Sequence, residues 1–596
     1  MPSGFSRLPM DTHPPKSMTN YPTNFPHRTE GTLLVNAERS TQSRNGLGCI
    51  LLVALLLTLP WLDRPFHTRG EPREALVAQS MLMNNNWISP PAYNGAVPSK
   101  PPFNHWLISI VSLPGGEVTE FTSRLPSAIA VVLFSACFYL FLCRRTTERS
   151  ALLAGLVLLS SFEWLRSAVT CRVDTILSTS LAGALLALFA WREKGRKGFP
   201  FLAAILITCA ALTKGPIGVA LPLAIFSLFE FVSGERTVRN AFKIGLRGAI
   251  IAVPVVLVVS LWYIAGYLQR GDAFIDKIYY ENFARLTSSM EDEPHKHAAP
   301  YMLLMLAIGF LPWTLVWISA SVSAFSKRHY ALRALGERWA QATELQRYAF
   351  VAASFILVFF CIPSSKRSVY IMPAYPFIAL MAAESIGGWG SRTARFMRIL
   401  GNVLVTFAAI LSLVVIVGMF IPTIPYAPQF GTSVLASWSL WRVSVLVVLG
   451  AFAIRVFRQV VRQGDAQRLA LSLVTAIVII SGIAAEPAFY QLSPRTWLRS
   501  LEFQGSLDLA KHDRLYSFGS EAYVASFYLK KPFFTATPGL TAGSIVVVEE
   551  KNLARLKQEI SPDVREVGRF ASGLEPAKKD LVFVEVVGRP TGAPVS

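Results

Sequence analysis

The sequence predicts an all-α polytopic membrane protein with a small α/β domain at its C-terminal end. Three observations predict it. The 596 residues are 52% hydrophobic and only 16% charged, with a mean hydropathy of +0.43, whereas soluble domains carry about a quarter charged residues. Apolar runs recur from residue 46 to residue 490, each near the roughly 20 residues that cross the hydrocarbon core. Residues 493–596 change to short β-rich segments alternating with amphipathic ones. These features exclude a cytosolic enzyme, a disordered chain and a disulfide-stapled secreted module. The six cysteines include no CxxC and sit in or beside apolar runs, where they read as small hydrophobes. The net charge of +20, from 57 Lys and Arg against 37 Asp and Glu, fits basic cytoplasmic loops better than nucleic-acid binding.

Residues 1–45 are rich in Pro, Thr, Ser and Asn, lack apolar periodicity and read as a disordered cytoplasmic tail. The membrane domain is expected over 46–492. Its spans fall at 46–62, 121–142, 149–165, 169–190, 200–213, 215–233, 244–268, 299–323, 348–362, 369–388, 396–421, 437–457 and 467–490, thirteen in all. The Thr213-Lys214-Gly215-Pro216 turn leaves the two spans beside it short or tilted. With the N-terminus in the cytoplasm, alternate loops should be basic. They are, from Arg144, Arg145 and Arg149 through to Arg455, Arg458 and Arg462. The opposite loops hold nearly all the loop acids, and an odd span count puts the C-terminus outside. In the terminal domain, RLYSFG, PFFTA, SIVVVEE, REVGRF and DLVFVEVV read as strands, with SEAYVASFYLKK and KNLARLKQEI as helices between them.

The candidate site residues are the ionisable groups of the outer rim. The first outer loop, 63–120, carries Arg69-Gly70-Glu71-Pro72-Arg73-Glu74 and Lys100-Pro101-Pro102-Phe103. Its amphipathic stretches are expected to lie at the membrane surface, anchored by Trp87 and Trp106. Such a loop can cradle a lipid head group; ordinary interfacial anchoring is the bland alternative. Asp174, beside Arg172 at the outer end of the fourth span, is costly in an apolar segment and therefore a functional candidate. The alternative is a hydrated carboxylate paired with Arg172. Arg285 lies in the outer loop 270–298, and Lys366, Arg367 and Tyr370 form a short outer turn that runs against the positive-inside trend. Outward cations facing a membrane cavity call for anions, phosphate first, or contact anionic lipid. His295-Lys296-His297 beside Glu291-Asp292-Glu293 reads as a solvated loop rather than a metal site, because i and i+2 spacing keeps the two His apart. The cations Arg73, Lys100, Arg285 and Lys366 suit the phosphate of a lipid carrier. The acids Glu71 and Asp174 can steer a proton or stabilise positive charge at a sugar carbon.

Nine motifs carry a family resemblance: EPREALVAQSML, SKPPFNHWL, EFTSRLPSAIA, CRVDTIL, LTKGP, LWYIAGYL, ENFARLTS, GFLPW and SSKRSVYIMPAYP, in that order. On these the chain resembles the aminoarabinose (4-amino-4-deoxy-L-arabinose) lipid A transferases and their wider relatives, which include the protein O-mannosyltransferases. These are membrane glycosyltransferases of the GT-C fold. The resemblance implies thirteen spans, surface helices in the first outer loop and a periplasmic α/β domain. It also implies a bacterial inner-membrane location and a donor carried on undecaprenyl phosphate. Residue by residue, Arg73 and Lys100 match positions at the donor phosphate, Asp174 matches the second acid, and Arg285 and Tyr370 match an Arg and a Tyr near the donor. The family's first acid falls at Gly70, so Glu71 is taken as its substitute. Ser99 and Tyr280 stand where the aminoarabinose enzymes place metal ligands, so the same metal site is not expected; use of a divalent metal and the identity of the sugar both stay open.

The activity expected is inverting transfer of a sugar from a polyprenyl-phosphate carrier to an extracytoplasmic acceptor such as lipid A or another envelope glycan. Glu71 or Asp174 would be the base for a hydroxyl acceptor; a phosphate acceptor would need none. The alternatives are a protein O-mannosyltransferase-like enzyme and a transporter or flippase of lipid-linked sugars. A transporter should carry ionisable residues near the midplane and paired half-helices. A lipid-binding scaffold leaves the two acids unexplained.

Overall fold

The computed structural model describes residues 29–66, 70–91, 97, 100–281, 297–325, 339–386, scattered positions between 395 and 410, 515–519, 522–570 and 581–587. The first span is carried by α1 (Thr29–Thr58), which begins inside the stretch that composition reads as a disordered tail. The next loop supplies two short helices, α2 (Gly70–Asn84) and α3 (Phe103–Ser112). The bundle continues with α4 (Glu120–Cys143), α5 (Glu148–Leu159), α6 (Phe162–Ala168), α7 (Val173–Glu193), α8 (Phe201–Lys214), α9 (Ile217–Ser233) and α10 (Val238–Arg270). Then come α11 (Asp272–Tyr279), α12 (Tyr301–Gly309), α13 (Trp313–Phe325), α14 (Glu344–Cys361), a 3₁₀ segment (Ser368–Ala374) and α15 (Tyr375–Ile386). The expected spans 437–457 and 467–490, and most of 396–421, lie outside the described residues.

Length and hydropathy make α1, α4, α7, α10 and α14 long enough to cross a membrane. Their burial sorts them. In α7, 83% of the apolar window is buried, which makes it the hub of the bundle, whereas the figure for α10 is 22%. Along α10 the exposed side chains Leu246, Ile250, Val253, Leu257, Leu261, Ile264 and Leu268 recur at three- and four-residue intervals. That is one continuous apolar stripe, as a lipid-facing helix requires.

Two expected spans are broken. The run 149–165 bends by 67° between α5 and α6. At the break, the Ser160 and Ser161 hydroxyls donate back to the carbonyls of Leu156 and Val157 at 2.5 and 2.7 Å, the kind of back-bonding that bends helices. The run 299–323 bends by 105° between α12 and α13, at Phe310-Leu311-Pro312. The two breaks interlock, since the Trp313 indole donates to Ser160 Oγ at 2.9 Å and the Phe162 N–H donates to the Leu311 carbonyl at 3.0 Å. The run 369–388 is a 3₁₀ turn followed by a helix, with Pro373 inside the turn.

Between α8 and α9 the chain turns through Gly215, which has φ +78°. One residue into α9, Gly218 packs so closely that a Cβ there would strike the backbone of Ala210 and Ala211. Backbone cannot rotate aside as a side chain can. Gly218→Ala is therefore expected to lower stability by about 1–3 kcal/mol, measured as a fall in Tm of the purified protein in detergent. An unchanged Tm would contradict this close approach.

The C-terminal strands fall where the pattern places them: β1 (Leu515–Phe518), β2 (Phe533–Thr535), β3 (Ile545–Glu549), β4 (Val564–Phe570) and β5 (Leu581–Val586). The sheet order is β2-β1-β3-β5-β4, with β1 parallel to both β2 and β3, and β5 antiparallel to both β3 and β4. Alternate residues serve its two faces. Val546, Val548, Val582 and Val584 pack with Leu556 of α17 (Leu553–Glu559). Ile545, Val547 and Phe583 share a core with Ala525 and Tyr528 of α16 (Tyr523–Leu529) and with Phe66, Ala75, Ala78 and Ile108. The sheet is thus backed by α2 and α3. The Phe66 N–H donates to the Tyr528 hydroxyl at 2.8 Å, and Lys530 pairs with Glu117.

Candidate active site

Helix α2 sets three residues toward one hollow. Gly70, Arg73 and Glu74 stand at i, i+3 and i+4, one face of the helix. The hollow is also lined by Lys100 from the loop before α3, and by Arg172, Val173 and Asp174 at the start of α7. Lys214 at the end of α8, Arg367 and Tyr370 complete it. Five cations and two carboxylates thus surround one space, at the positive end of the α7 dipole.

The two carboxylates are held differently. Asp174 is buried, and its Oδ1 receives the Lys214 ammonium at 2.5 Å. That ammonium also sits 4.2 Å from the centre of the Tyr370 ring, which the cation attracts electrostatically. Glu74 is buried between Arg73, whose Nη2 donates to Oε1 at 2.7 Å, and His105, whose Nε2 lies 2.8 Å from Oε2. Burial alone would push the Glu74 carboxyl up. The Arg73 charge and the hydrogen bonds from His105 and Arg73 outweigh that and hold it well below the ordinary carboxylate range.

The cations include groups placed for an anion. Arg172 Nε is buried without a hydrogen-bond partner. Lys100 reaches Glu281 at 2.9 Å, and Lys277 approaches the same carboxylate at 3.9 Å. Gly70 makes room for the guanidinium: a Cβ there would lie 3.0 Å from Arg172 Nη2.

Of the residues singled out from sequence, the fold brings Arg73, Lys100, Asp174 and Tyr370 together. Glu71 is not with them. Its Oε1 accepts from Arg124 Nε at 2.8 Å and from the Cys171 N–H at 3.1 Å. Arg124 in turn donates to the carbonyls of Leu62 and Arg64. One residue on from Gly70, Glu71 is rotated by about 100° around the helix axis and serves as a buried strut. Lys366 is also elsewhere. It is 3% exposed and donates to the carbonyls of His297, at 2.8 Å, and Pro363. Its neighbour Arg367 has extended backbone, at φ −130° and ψ 146°. Successive side chains on extended backbone point to opposite sides, so Arg367 lines the hollow and Lys366 does not. Arg285 and Ser99 lie outside the described residues. Tyr280 follows α11 and is exposed.

Sequence reasoning gave no site role to Lys214, Glu74 and His105, and it noted Arg172 and Arg367 only as neighbours of Asp174 and Lys366. Lys214 had a signal: it is the one charged residue between 200 and 229, and an ionisable group in such a run is a functional candidate by default. Glu74 and His105 had none beyond their places on amphipathic helices.

The class follows from fold and site: a multi-pass helical membrane protein with a cation-rich hollow at one end of its bundle. Comparison makes it more particular. Residues 99–262 match the family model described as dolichyl-phosphate-mannose-protein mannosyltransferase. The chain is 26% identical over 400 residues to the undecaprenyl phosphate-alpha-4-amino-4-deoxy-L-arabinose arabinosyl transferase of Shewanella sediminis, covering 65% of this chain and 69% of that one. The protein of the same name from Aeromonas hydrophila is 26% identical over 338 residues, 55% of this chain and 57% of its own. Among solved structures, ArnT from Cupriavidus metallidurans, crystallised with undecaprenyl phosphate, superposes with a TM-score of 0.60 at 18% identity, over 91% of this chain and 98% of that one. The resemblance read from the ordered motifs holds: the chain is similar in sequence to these transferases and has the ArnT-like GT-C fold.

Proposed function

We propose that this protein is a membrane glycosyltransferase of the bacterial inner membrane. It takes a sugar from a polyprenyl-phosphate carrier, undecaprenyl phosphate, and delivers it to an extracytoplasmic acceptor such as lipid A or another envelope glycan. The observation that carries this reading is the hollow in which Arg73, Lys100, Arg172, Lys214 and Arg367 outnumber Glu74 and Asp174. A cation excess in a partly buried space favours an anion, and phosphate most of all. The names and fold of the relatives point the same way. The orientation in this reading has thirteen spans, the N-terminus in the cytoplasm and the C-terminal sheet in the periplasm.

The chemistry follows from the lining. Arg73, Lys100, Arg172 and Arg367, joined by Arg285, hold the carrier phosphate. The acceptor attacks the anomeric carbon on the face opposite the phosphate, which inverts that centre. The bond from the anomeric carbon to the phosphate oxygen breaks, and its electron pair passes to that oxygen. The cations stabilise the charge that develops there. Asp174, fixed by Lys214, faces the reacting sugar as the carboxylate that steers positive charge or a proton. Glu71 and Lys366 have no part in this, being turned away. A protein O-mannosyltransferase-like activity is the second reading, supported by the family match over 99–262; it requires a hydroxyl acceptor.

The test is deletion of the gene in its host, followed by mass comparison of envelope lipids, glycans and glycoproteins with the parent strain. One product class should lose a fixed pentose or hexose increment, and its mass names the sugar. Identical spectra in all three classes would overturn the reading.

A further inference from the structure

A second, smaller space adjoins the hollow. Lys100 lines both. The rest of the small chamber includes Ser89, His105 and Met81, closed by Trp262 of α10 and Phe274 of α11, whose rings stack edge to face at 5.4 Å. His105 is 1% exposed and stands between the two spaces: its Nε2 bonds Glu74, which lines the hollow, while the ring itself lines the chamber. An ionised Glu74 can only accept, so Nε2 carries the hydrogen. A neutral imidazole then has Nδ1 as an acceptor. That atom is buried and has no hydrogen-bond partner, and Ser89 Oγ in the same wall is in the same condition. Buried polar atoms are rarely left so. Two of them in one apolar chamber beside the cationic site, with room for about one water-sized group, suit a single hydroxyl.

We propose that the acceptor substrate presents a hydroxyl group in this chamber and that His105 Nδ1 is its proton acceptor, with Glu74 as the positioning residue that fixes the tautomer. This rests on the glycosyl-transfer reading and narrows it from any acceptor to an alcohol. The step balances. The acceptor O–H proton passes to Nδ1 as that oxygen bonds to the anomeric carbon. The electron pair of the breaking bond leaves on the carrier phosphate beside Lys100, and the imidazolium is stabilised by Glu74. The charged groups around His105 are Glu74 and, through it, Arg73 on α2, Lys100 in the loop, and Glu281 with Lys277 through Lys100. The walls given by α10 and α11, Trp262 and Phe274, do not titrate.

The test uses the full-length protein in vesicles, with the host's envelope-lipid extract supplying donor and acceptor and with undecaprenyl phosphate as the binding probe. His105→Gln should bind undecaprenyl phosphate within about threefold of wild type yet transfer sugar about 10²–10⁴-fold more slowly. Glu74→Gln should likewise keep probe binding within about threefold while slowing transfer, and Glu74→Asp, which keeps the anion that fixes the tautomer, should restore part of the rate. Transfer by His105→Gln within threefold of wild type overturns the proposal and leaves the glycosyl-transfer reading standing. So does a loss of probe binding in His105→Gln as large as its loss of transfer, since a proton acceptor for the alcohol acts on transfer alone. A wild-type protein that binds the probe but transfers nothing sinks the functional reading, and this proposal with it.

Discussion

Asp174→Asn is expected to cut sugar transfer by at least about a hundredfold, because a carboxylate placed at a reacting centre contributes about 10²–10⁴. The substitution is nearly isosteric, so the hollow keeps its shape. What changes is charge. Lys214, now 2.5 Å from Asp174, loses the anion that compensates it, and breaking a buried pair by removing one partner costs several kcal/mol at most, less where water reaches the groups, as it does in this hollow. Some fall in Tm should therefore accompany the loss of activity. A second variant separates the two effects. In Asp174→Asn with Lys214→Met, both charges are gone, and replacing a pair by apolar groups is often close to neutral. Tm should recover while transfer stays low, because the steering carboxylate is still missing. Recovery of transfer together with Tm would mean that Asp174 acts only through the stability of the α7–α8 contact.

Lys100→Ala should have the next largest effect, a loss of about 10²–10³ in kcat/KM, the scale on which a single preorganised donor to a developing anion is felt. Lys100 is anchored by Glu281, and its side chain is only 13% exposed. The carrier phosphate must compete with that carboxylate. Two further results follow. Lys100→Arg should retain more activity than Lys100→Ala, since it keeps the charge. Glu281→Gln should lower KM for the lipid donor, since it removes the competitor. Equal activities for wild type and Lys100→Ala, measured at donor concentrations below KM, would remove Lys100 from the site.

Much of the architecture can be read along the chain. The apolar runs expected between 46 and 386 are helical over most of their length, five of them in helices long enough to cross a membrane, and the five C-terminal strands fall on the quoted segments. Hydropathy and strand alternation depend on neighbours in sequence, and those are visible without a fold. The breaks at Ser160-Ser161 and at Phe310-Leu311-Pro312 were not legible, because each is stabilised by the other. The shared core of α2, α3 and the C-terminal sheet was hidden too: Phe66 and Tyr528 meet across 462 positions of sequence.

What the amino-acid order determined by itself is the membrane bundle, the terminal sheet and the cast of ionisable residues at one rim, Arg73, Lys100, Asp174 and Tyr370 among them. Which acids face the cations was decided only in three dimensions. Glu71 and Glu74 are three positions apart, yet one is spent on Arg124 and the other joins His105 at the hollow. Likewise, Lys366 turns to backbone carbonyls, Arg367 takes its place, and Lys214 comes back beside Asp174 because α8 returns along α7. The reason is geometric: hydropathy says that a residue is on a helix, but only the packing of that helix against its neighbours sets the direction in which each side chain points.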